Sequence, residues 1–154
     1  MTDPALGLRP ATEADCERLL AWANDPDARA SAIRCTAQIA FATHRAWFTA
    51  RLADPCCRIW IIEHDGHPIG QVRLEGDRAA REVSIFVERG FRRAGIARAA
   101  IKQALAAFGG EAAVARVRNH NIASRRLFES LGFAIAATDP DVVVYRGLIS
   151  HVPL

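Results

Sequence analysis

Residues 82–107 constrain the possible fold of this chain more than any other stretch, because a strand pattern there is followed directly by a helix pattern. β-Branched residues alternate with their neighbours over residues 82–87, and this period of two is typical of a half-buried strand. From Gly95 onward, apolar residues recur at helical spacing until a pair of glycines follows Phe108, and glycine commonly ends a helix. The stretch therefore predicts a strand, a turn and a helix in immediate succession.

The turn between these two elements has the features of an anion site. Gly95 and Ala97 are small, so a ligand can approach the backbone closely. The N–H groups at a helix start point outward without partners, and the helix dipole adds partial positive charge there. Further positive charge surrounds the turn at Arg89, Arg92, Arg93 and Arg98. This pattern suits a pyrophosphate, although a plain strand–loop–helix connection with a solvated basic face has the same spacing.

Motifs at three places resemble the GNAT superfamily of acyl-CoA-dependent N-acetyltransferases. The run Arg92-x-x-Gly95-x-Ala97 matches the R/Q-x-x-G-x-G/A signature of that superfamily. Asn121-x-x-Ser124 and the run LFESLGF at 127–133 are similar to its N-x-x-S and L-Y/F-E-x-x-G-F element. Arg-Pro at 9–10 followed by TEAD at 12–15 is similar to its usual opening. These motifs span nearly the whole chain, which is identified as a member of the superfamily.

Periodicity and turn signals predict an α+β fold in one domain, residues 1–154, with a mixed, mainly antiparallel sheet and helices on both faces. The helix after Gly95 should join two parallel strands. The family resemblance implies that these central strands splay apart and that the pantetheine arm of the cofactor enters the gap. Residues 27–42 give no clear pattern, and one short helix and a loop would fit there. The predicted strands are Ala5–Arg9, Arg58–Glu63, Ile69–Glu75, Glu82–Val87, Ala113–Val117, Phe133–Ala137 and Val142–Arg146, and the predicted helices are 12–23, 43–53, 95–108 and 121–131.

The resemblance also implies acetyl-CoA as the co-substrate and assigns residues to it. The backbone of Phe86 and Val87 would pair with the pantetheine arm like an added strand, and the Val87 N–H would face the thioester carbonyl. The amides of the turn would hold the pyrophosphate, and Asn121 would contact the pantetheine or help to shape its groove. The expected cofactor-binding residues are Phe86, Val87, Arg92, Arg93, Ala94, Gly95, Ile96, Ala97, Asn121, Ser124 and Phe128.

Glu82 is the general-base candidate, because the family often has a carboxylate at the start of this strand. The structural alternative is that Glu82 forms an ion pair with Arg73 or Arg81. Many family members have a tyrosine where this chain has Phe128, and that hydroxyl is placed to protonate the leaving thiolate. The catalytic candidates are therefore Glu82 and, as a proton donor, Ser124, with Tyr145, water or an unassisted thiolate as the alternatives.

The acceptor side is expected on the first two helices, the segment between them and the neighbouring strands. The runs LAWANDP at 20–26 and PIGQVRL at 68–74 resemble the branch with the UDP-4-amino-sugar N-acetyltransferases of pseudaminic-type acid synthesis, although Ala23 replaces an arginine common there. This favours an amino-sugar nucleotide as the acceptor. The alternatives are a protein or peptide amino terminus, as in the nearby ribosomal-protein acetyltransferases, and a non-catalytic CoA-binding module. The candidate substrate residues are Asn24, Arg29, Arg34, His44, Trp47 and Arg73, of which His44 is more often structural in such a place.

Composition limits the other classes of function. With 51% apolar and 24% charged residues, the 154-residue chain reads as globular and cytoplasmic, without a signal peptide or an apolar run long enough to enter a membrane. The net charge of +3 is too small, and its basic residues too scattered, to favour nucleic-acid binding. Cys16, Cys35, Cys56 and Cys57 lack metal-ligand spacing, so we expect reduced thiols and no metal. The predicted partners are a small-molecule amine and, as an option, a second copy in a homodimer.

Overall fold

A computed structural model of the chain describes residues 6–34 and 36–153. Ala5, at the start of the first predicted strand, and Cys35 lie outside these residues. The strands are β1 (Leu6–Pro10), β2 (Cys57–His64), β3 (His67–Glu75), β4 (Arg81–Val87), β5 (Ala112–Arg118), β6 (Ala134–Thr138) and β7 (Val142–Leu148). The helices are α1 (Cys16–Ala23), α2 (Pro26–Ser31), α3 (Phe41–Ala53), α4 (Ile96–Phe108) and α5 (Ile122–Ser130).

The strands form one sheet in the order β1-β2-β3-β4-β5-β7-β6. All neighbouring pairs are antiparallel except β4 and β5, which are parallel and are joined through α4. The β2–β3 hairpin turns at Asp65 and Gly66, whose φ angles of 50° and 78° suit the tight turn that Asp-Gly predicts. The predicted mixed, mainly antiparallel sheet and its α+β class are confirmed.

Helices cover both faces of the sheet, as the packing of alternate β2 residues shows. Trp60 and Ile62 belong to a core cluster that includes the buried side of α4, whereas Ile59 and Ile61 pack with residues of α1 and α3. Because successive side chains of a strand point to opposite faces, the two clusters lie on opposite sides of the sheet. The cofactor turn at the start of α4 and the predicted acceptor helices therefore meet the sheet from different faces.

The sheet opens at its centre, between β4 and β5. The ladder between these strands has two residue pairs, Arg81 with Ala113 and Glu82 with Val114, although each strand has seven residues. Beyond Glu82 the two strands have no further paired residues, so one edge of β4 is left without a strand neighbour. This is the splayed parallel pair that the family resemblance implies.

The segment 24–42 departs most from the sequence-based boundaries. Asp25 both follows α1 and starts α2, since its carboxylate accepts the backbone N–H groups of Asp27 and Ala28. Helix α3 begins at Phe41, two residues before the predicted start at 43, so Thr43 lies in its first turn. The Asn24 side chain bonds both backbone groups of Ile39 at 2.7 and 3.0 Å, and this contact sets where the chain enters α3.

Over the residues that the structure describes, no helix is both long enough and apolar enough to cross a lipid bilayer.

Candidate active site

The turn before α4 presents its backbone to open space. Gly95 is the N-cap of α4 with φ +77°, a left-handed conformation that glycine adopts without strain, and a Cβ built on it would meet no atom within 4 Å. Arg93 also has a positive φ, 64°. No backbone acceptor is found among the described residues for the N–H groups of Arg93, Ala94 or Gly95. The turn therefore offers outward N–H donors at the positive end of a thirteen-residue helix.

A cleft of about 850 Å³ connects this turn with the open edge of β4 and the start of α5. Most of the predicted cofactor-binding residues line it, namely Phe86, Val87, Arg92, Arg93, Gly95, Ile96, Ala97, Asn121 and Ser124. Ala94 lies exposed in the same turn. The cleft thus joins elements that are far apart in sequence, as a groove for an elongated ligand with an anionic end requires.

The backbone at Phe86 and Val87 is held from the opposite side by β3. Gly70 pairs with Val87 in the antiparallel ladder, and a Cβ on Gly70 would collide with the Phe86 carbonyl oxygen. Arg92 adds a further hold, since its Nε donates to the Val87 carbonyl oxygen at 2.7 Å. The edge of β4 that borders the cleft is therefore fixed in position, which is what backbone pairing with a ligand needs.

Asp27 of α2 also borders this cleft, and sequence reasoning missed it. Its Oδ2 accepts hydrogen bonds from Arg89 Nη2 and Arg92 Nη1, both at 2.8 Å. The two guanidinium groups hold the pKa of the Asp27 carboxyl below its ordinary value. Asp27 lies more than sixty residues from both partners, so no local pattern could have revealed the contact.

Glu82 lies where β4 and β5 separate, on the acceptor face of β4. Its carboxylate pairs with Arg34 at 3.4 Å and, more distantly, with Arg116 at 3.9 Å. The expected alternative partners are wrong: Arg73 pairs with Glu75, and Arg81 donates to the carbonyls of Gly76 and Gly109. Arg81 points to the other face because it is one residue from Glu82 along the strand.

A second cavity, of about 380 Å³, adjoins Glu82. Four carboxylates border it against two guanidinium groups, from Asp54, Glu75, Asp77 and Glu82 and from Arg34 and Arg51. Arg51 pairs with Glu75 at 3.1 Å, while the carboxylates of Asp54 and Asp77 accept backbone N–H groups. The cavity is therefore net acidic, and it shares Glu82 with the mouth of the splayed strands.

Two of the predicted acceptor residues hold the chain itself. Asn24 clamps Ile39, as described above, and Arg29 Nε donates to the Thr36 carbonyl at 3.1 Å. Arg34 differs, since 68% of its side chain is exposed and its guanidinium group forms an ion pair with Glu82 on the acceptor side. Of these three residues, Arg34 alone has its charged group at the cavity beside Glu82.

The other acceptor candidates are His44, Trp47 and Arg73. His44 is 4% exposed, packs against Trp47 and Phe48, and has a pKa lowered by burial, as a structural histidine would. The half-buried Trp47 ring has the guanidinium of Arg73 at 4.9 Å and that of Arg51 at 5.7 Å from its centre. Burial lowers the pKa of Arg73, which also pairs with Glu75.

The sequence points to three residues in connection with the leaving thiolate, and they lie in different surroundings. Phe128 is 2% exposed and packs on Phe133 and Tyr145, so it lies below the cleft surface, which Leu127 lines. The buried Tyr145 hydroxyl donates to Glu129 at 2.8 Å and accepts from Arg125.

Ser124 lines the cleft, and its backbone N–H donates to the side chain of Asn121, which caps α5. Of these three residues, Ser124 alone both carries a hydroxyl and lines the cleft, which Ser31 and Ser130 also line.

Comparison with known protein families decides the assignment of the chain. A sequence profile described as "Acetyltransferase (GNAT) domain" matches residues 5–134. The chain belongs to the GNAT acetyltransferase family. Comparison with curated protein sequences gives no match.

Solved structures share the GNAT fold over almost the entire chain. A domain from Methanocaldococcus jannaschii is 24% identical, with 95% of this chain and 99% of that chain covered and a TM-score of 0.82. The spermidine N-acetyltransferase from Vibrio cholerae, in complex with CoA and spermine, is 18% identical, covers 97% and 98%, and has a TM-score of 0.84. The ribosomal L7/L12 α-N-protein acetyltransferase RimL, in complex with CoA, is 16% identical, covers 97% of both chains, and has a TM-score of 0.80.

The family and the cleft agree on the general activity. This GNAT protein is an acetyl-CoA-dependent acetyltransferase. The observation on this chain that fits the co-substrate is the free backbone at Arg93–Gly95, which opens into a long cleft beside the fixed edge of β4. The acceptor of the acetyl group is a separate question, because the structural neighbours include enzymes named for a small amine and for a protein.

Proposed function

We propose that this enzyme transfers acetyl directly from acetyl-CoA to a primary amine held beside Glu82. One observation carries the proposal: Glu82 is the last residue of β4 that pairs with β5, and it borders the acidic cavity. A carboxylate at that point adjoins both the gap between the strands and a space on the acceptor face. An amine in this cavity would lie close to the gap that admits the thioester.

Each chemical step of the transfer can then be assigned to a group of this chain. An amine that arrives protonated must lose its proton before attack, and Glu82 accepts that proton directly or through water. The acetyl thioester supplies the electrophile, and the Val87 N–H on the fixed β4 edge polarises its carbonyl. The Ser124 hydroxyl, at the start of α5, donates a proton to the leaving thiolate. Much of the rate comes from holding the two reactants in one geometry.

The charge of the cavity favours an acceptor that carries further positive charge. Two of its four carboxylates, Asp54 and Asp77, are bonded to backbone N–H groups and remain available to a cation. A small diamine or polyamine would gain from them, whereas a diphosphate would be repelled. The Vibrio cholerae neighbour, a spermidine N-acetyltransferase, parallels this choice.

An amino-sugar nucleotide, the acceptor that the sequence favours, is the second candidate. The Trp47 ring supports it, because an aromatic surface suits a uracil and the guanidinium groups of Arg51 and Arg73 beside it suit a diphosphate. Its support is limited, since all four guanidinium groups already have partners on this chain: Arg29 the Thr36 carbonyl, Arg34 Glu82, and both Arg51 and Arg73 Glu75. A protein amino terminus, as in the RimL neighbour, is the third candidate.

The test is acetyl-CoA consumption with three acceptors: spermidine, a UDP-linked 4-amino sugar and a short peptide with a free amino terminus. We expect turnover with spermidine and no inhibition by UDP. Turnover with the amino sugar, together with competitive inhibition by UDP, would overturn the cationic assignment in favour of the second candidate. Turnover with the peptide alone would select the third, and no turnover with any amine would contradict the proposal itself.

A matched pair of variants tests the role of the cavity charge. Asp77→Asn removes a carboxylate charge but keeps the Oδ1 that caps the turn at Ala79 and Ala80. Asp139→Asn makes the same change in the distant β6–β7 turn, where Asp139 also accepts two backbone N–H groups. We expect Asp77→Asn alone to raise the KM for spermidine, by about three- to tenfold, with little change in kcat. Equal KM values for both variants would exclude the cavity as the acceptor site.

A further inference from the structure

The segment from Pro26 to Arg34 spans the two halves of the active site and, apart from its local bonds to Asp25 and Thr36, is held at three points. At its start, Asp27 bonds Arg89 and Arg92 beside the cofactor turn. Near its end, Arg118 of β5 donates to the carbonyls of Ala32 and Ile33 at 3.0 and 3.1 Å. Its last residue, Arg34, pairs with Glu82 on β4. We call residues 26–34 the bridging segment, because they connect the cofactor turn to the general-base candidate.

The first of these contacts uses cations that a phosphate ligand would use. The Arg89 side chain is 80% exposed. Its counter-ion is the carboxylate of Asp27, which borders the cleft. Arg92 lines the cleft together with Asp27. A pyrophosphate placed at the turn carries more negative charge than one carboxylate, and it would lie beside Asp27 in the same cleft. The two anions therefore compete for the same guanidinium groups and repel each other.

The last contact covers the group that has to accept a proton. Arg34 neutralises the Glu82 carboxylate and occupies the side from which an amine in the acidic cavity would approach. The middle contact, from Arg118, is made to backbone carbonyls, so it can persist while the two ends of the bridging segment move. The segment therefore has a fixed point between two ion pairs that ligands on either side would break.

We propose that Asp27 is an internal anion that lowers cofactor affinity and holds the bridging segment over Glu82 until the cofactor phosphates take over Arg89 and Arg92. Release of Asp27 frees α2, the segment turns about its contact with Arg118, and Arg34 leaves Glu82. The cofactor then binds first and the amine second. This inference rests on the proposed role of Glu82, but its first step concerns cofactor binding alone.

Calorimetric titration of the purified protein with CoA tests that first step. Asp27→Asn should bind CoA about three- to tenfold more tightly than the unchanged protein, because the competing charge and its tether are removed. Asp27→Ser, another neutral residue suited to the first turn of a helix, should act in the same direction. Glu111→Gln is the control, since it removes an equal charge from an exposed position next to the start of β5, and its CoA affinity should stay unchanged. Unchanged or weaker binding by both Asp27 variants would show that Asp27 positions Arg92 for the cofactor and would overturn the proposal.

Hydrogen exchange on the unchanged protein gives a second readout that needs no variant. We expect peptides within residues 26–34 to exchange faster when CoA is bound, while peptides from residues 92–97 become protected. Slower exchange in both regions would mean that CoA closes the bridging segment, and this would contradict the proposal even if both Asp27 variants unfold. Absence of any CoA binding by the unchanged protein would instead remove the proposed function, so the two failures are distinct.

Discussion

The cofactor side and the acceptor side of this enzyme are built in different ways. The cofactor side uses the backbone of one continuous stretch, from the edge of β4 at Phe86 to the first turn of α4 at Ala97. The acceptor side is assembled from side chains distant in sequence, such as Arg34 and Glu82, which are 48 residues apart and touch through an ion pair. A site made of backbone depends on local conformation, whereas a site made of side chains depends on how whole elements pack.

The largest expected effect is at the backbone site. Gly95→Asp should weaken CoA binding by about 10²-fold or more, because it places a negative charge in the open space where the phosphates would lie. Gly95→Asn is the matched control, since asparagine has nearly the same size and the same tolerance of positive φ but carries no charge. We expect a much smaller loss for asparagine, measured by calorimetry. If the aspartate variant binds CoA as tightly as the unchanged protein, the phosphate site lies elsewhere.

Glu82→Gln should produce the largest effect on the acceptor side. We expect the rate of acetyl transfer to fall by about 10²-fold with nearly unchanged CoA affinity, because the amine loses its proton acceptor. The deficit should shrink at high pH, where more of the amine is already deprotonated. Glu75→Gln, at the residue opposite Glu82 in the β3–β4 ladder, is the control and should mainly change the KM for the acceptor. A normal rate for Glu82→Gln at neutral pH would return Glu82 to a structural role.

Two hydroxyl variants distinguish a cleft residue from a core residue. Ser124→Ala should slow the chemical step by roughly tenfold, less than the about 10²- to 10⁴-fold typical of general acids, because a thiolate is a good leaving group. Tyr145→Phe should leave that step unchanged but lower the free energy of unfolding by about 1 kcal/mol, since it loses hydrogen bonds to Glu129 and Arg125. Single-turnover rates and urea unfolding measure the two effects. The reverse outcome would make Tyr145 the proton donor.

The smallest expected effect concerns His44 and stability. Burial lowers the pKa of His44 below its ordinary value of 6.5, so the unfolded chain binds this proton more readily than the folded protein does. The free energy of unfolding should therefore fall as the pH drops below about 6.5. His44→Gln should flatten this slope relative to the unchanged protein. Equal slopes in urea titrations of the variant and the unchanged protein would contradict the lowered pKa of His44.

The same contrast explains how much could be predicted from the sequence. Small residues, helix periodicity and flanking strands all act locally, so the turn at 92–97 and the order of strands and helices were predictable. The structural alternative for Glu82 was an ion pair with Arg73 or Arg81, its neighbours along the sheet, but Glu82 pairs with Arg34 and Arg116. Arg118 holds the two carbonyls that precede Arg34, a contact across 85 and 86 residues that no local pattern encodes.

The position of Phe128 teaches a related point. The motif L-F-E-x-x-G-F correctly predicted a helix that ends near Gly132, and α5 ends at Ser130. The side chain at 128 was expected at the cofactor, but it is 2% exposed and packs against Phe133 and Tyr145. A phenylalanine has no hydroxyl that would need a polar partner. Burying its side chain in the core therefore stabilises the folded protein more than exposing it in the cleft would.

The most direct test asks whether the two sides act on one acetyl group in a single complex. Initial rates should be measured over a grid of acetyl-CoA and acceptor concentrations, and intact-protein mass should be recorded after incubation with acetyl-CoA alone. Direct transfer across the gap between β4 and β5 predicts reciprocal plots that intersect and a protein that stays unacetylated. Parallel reciprocal plots together with an acetylated protein would contradict direct transfer, because the acetyl group would then pass through a side chain of the enzyme.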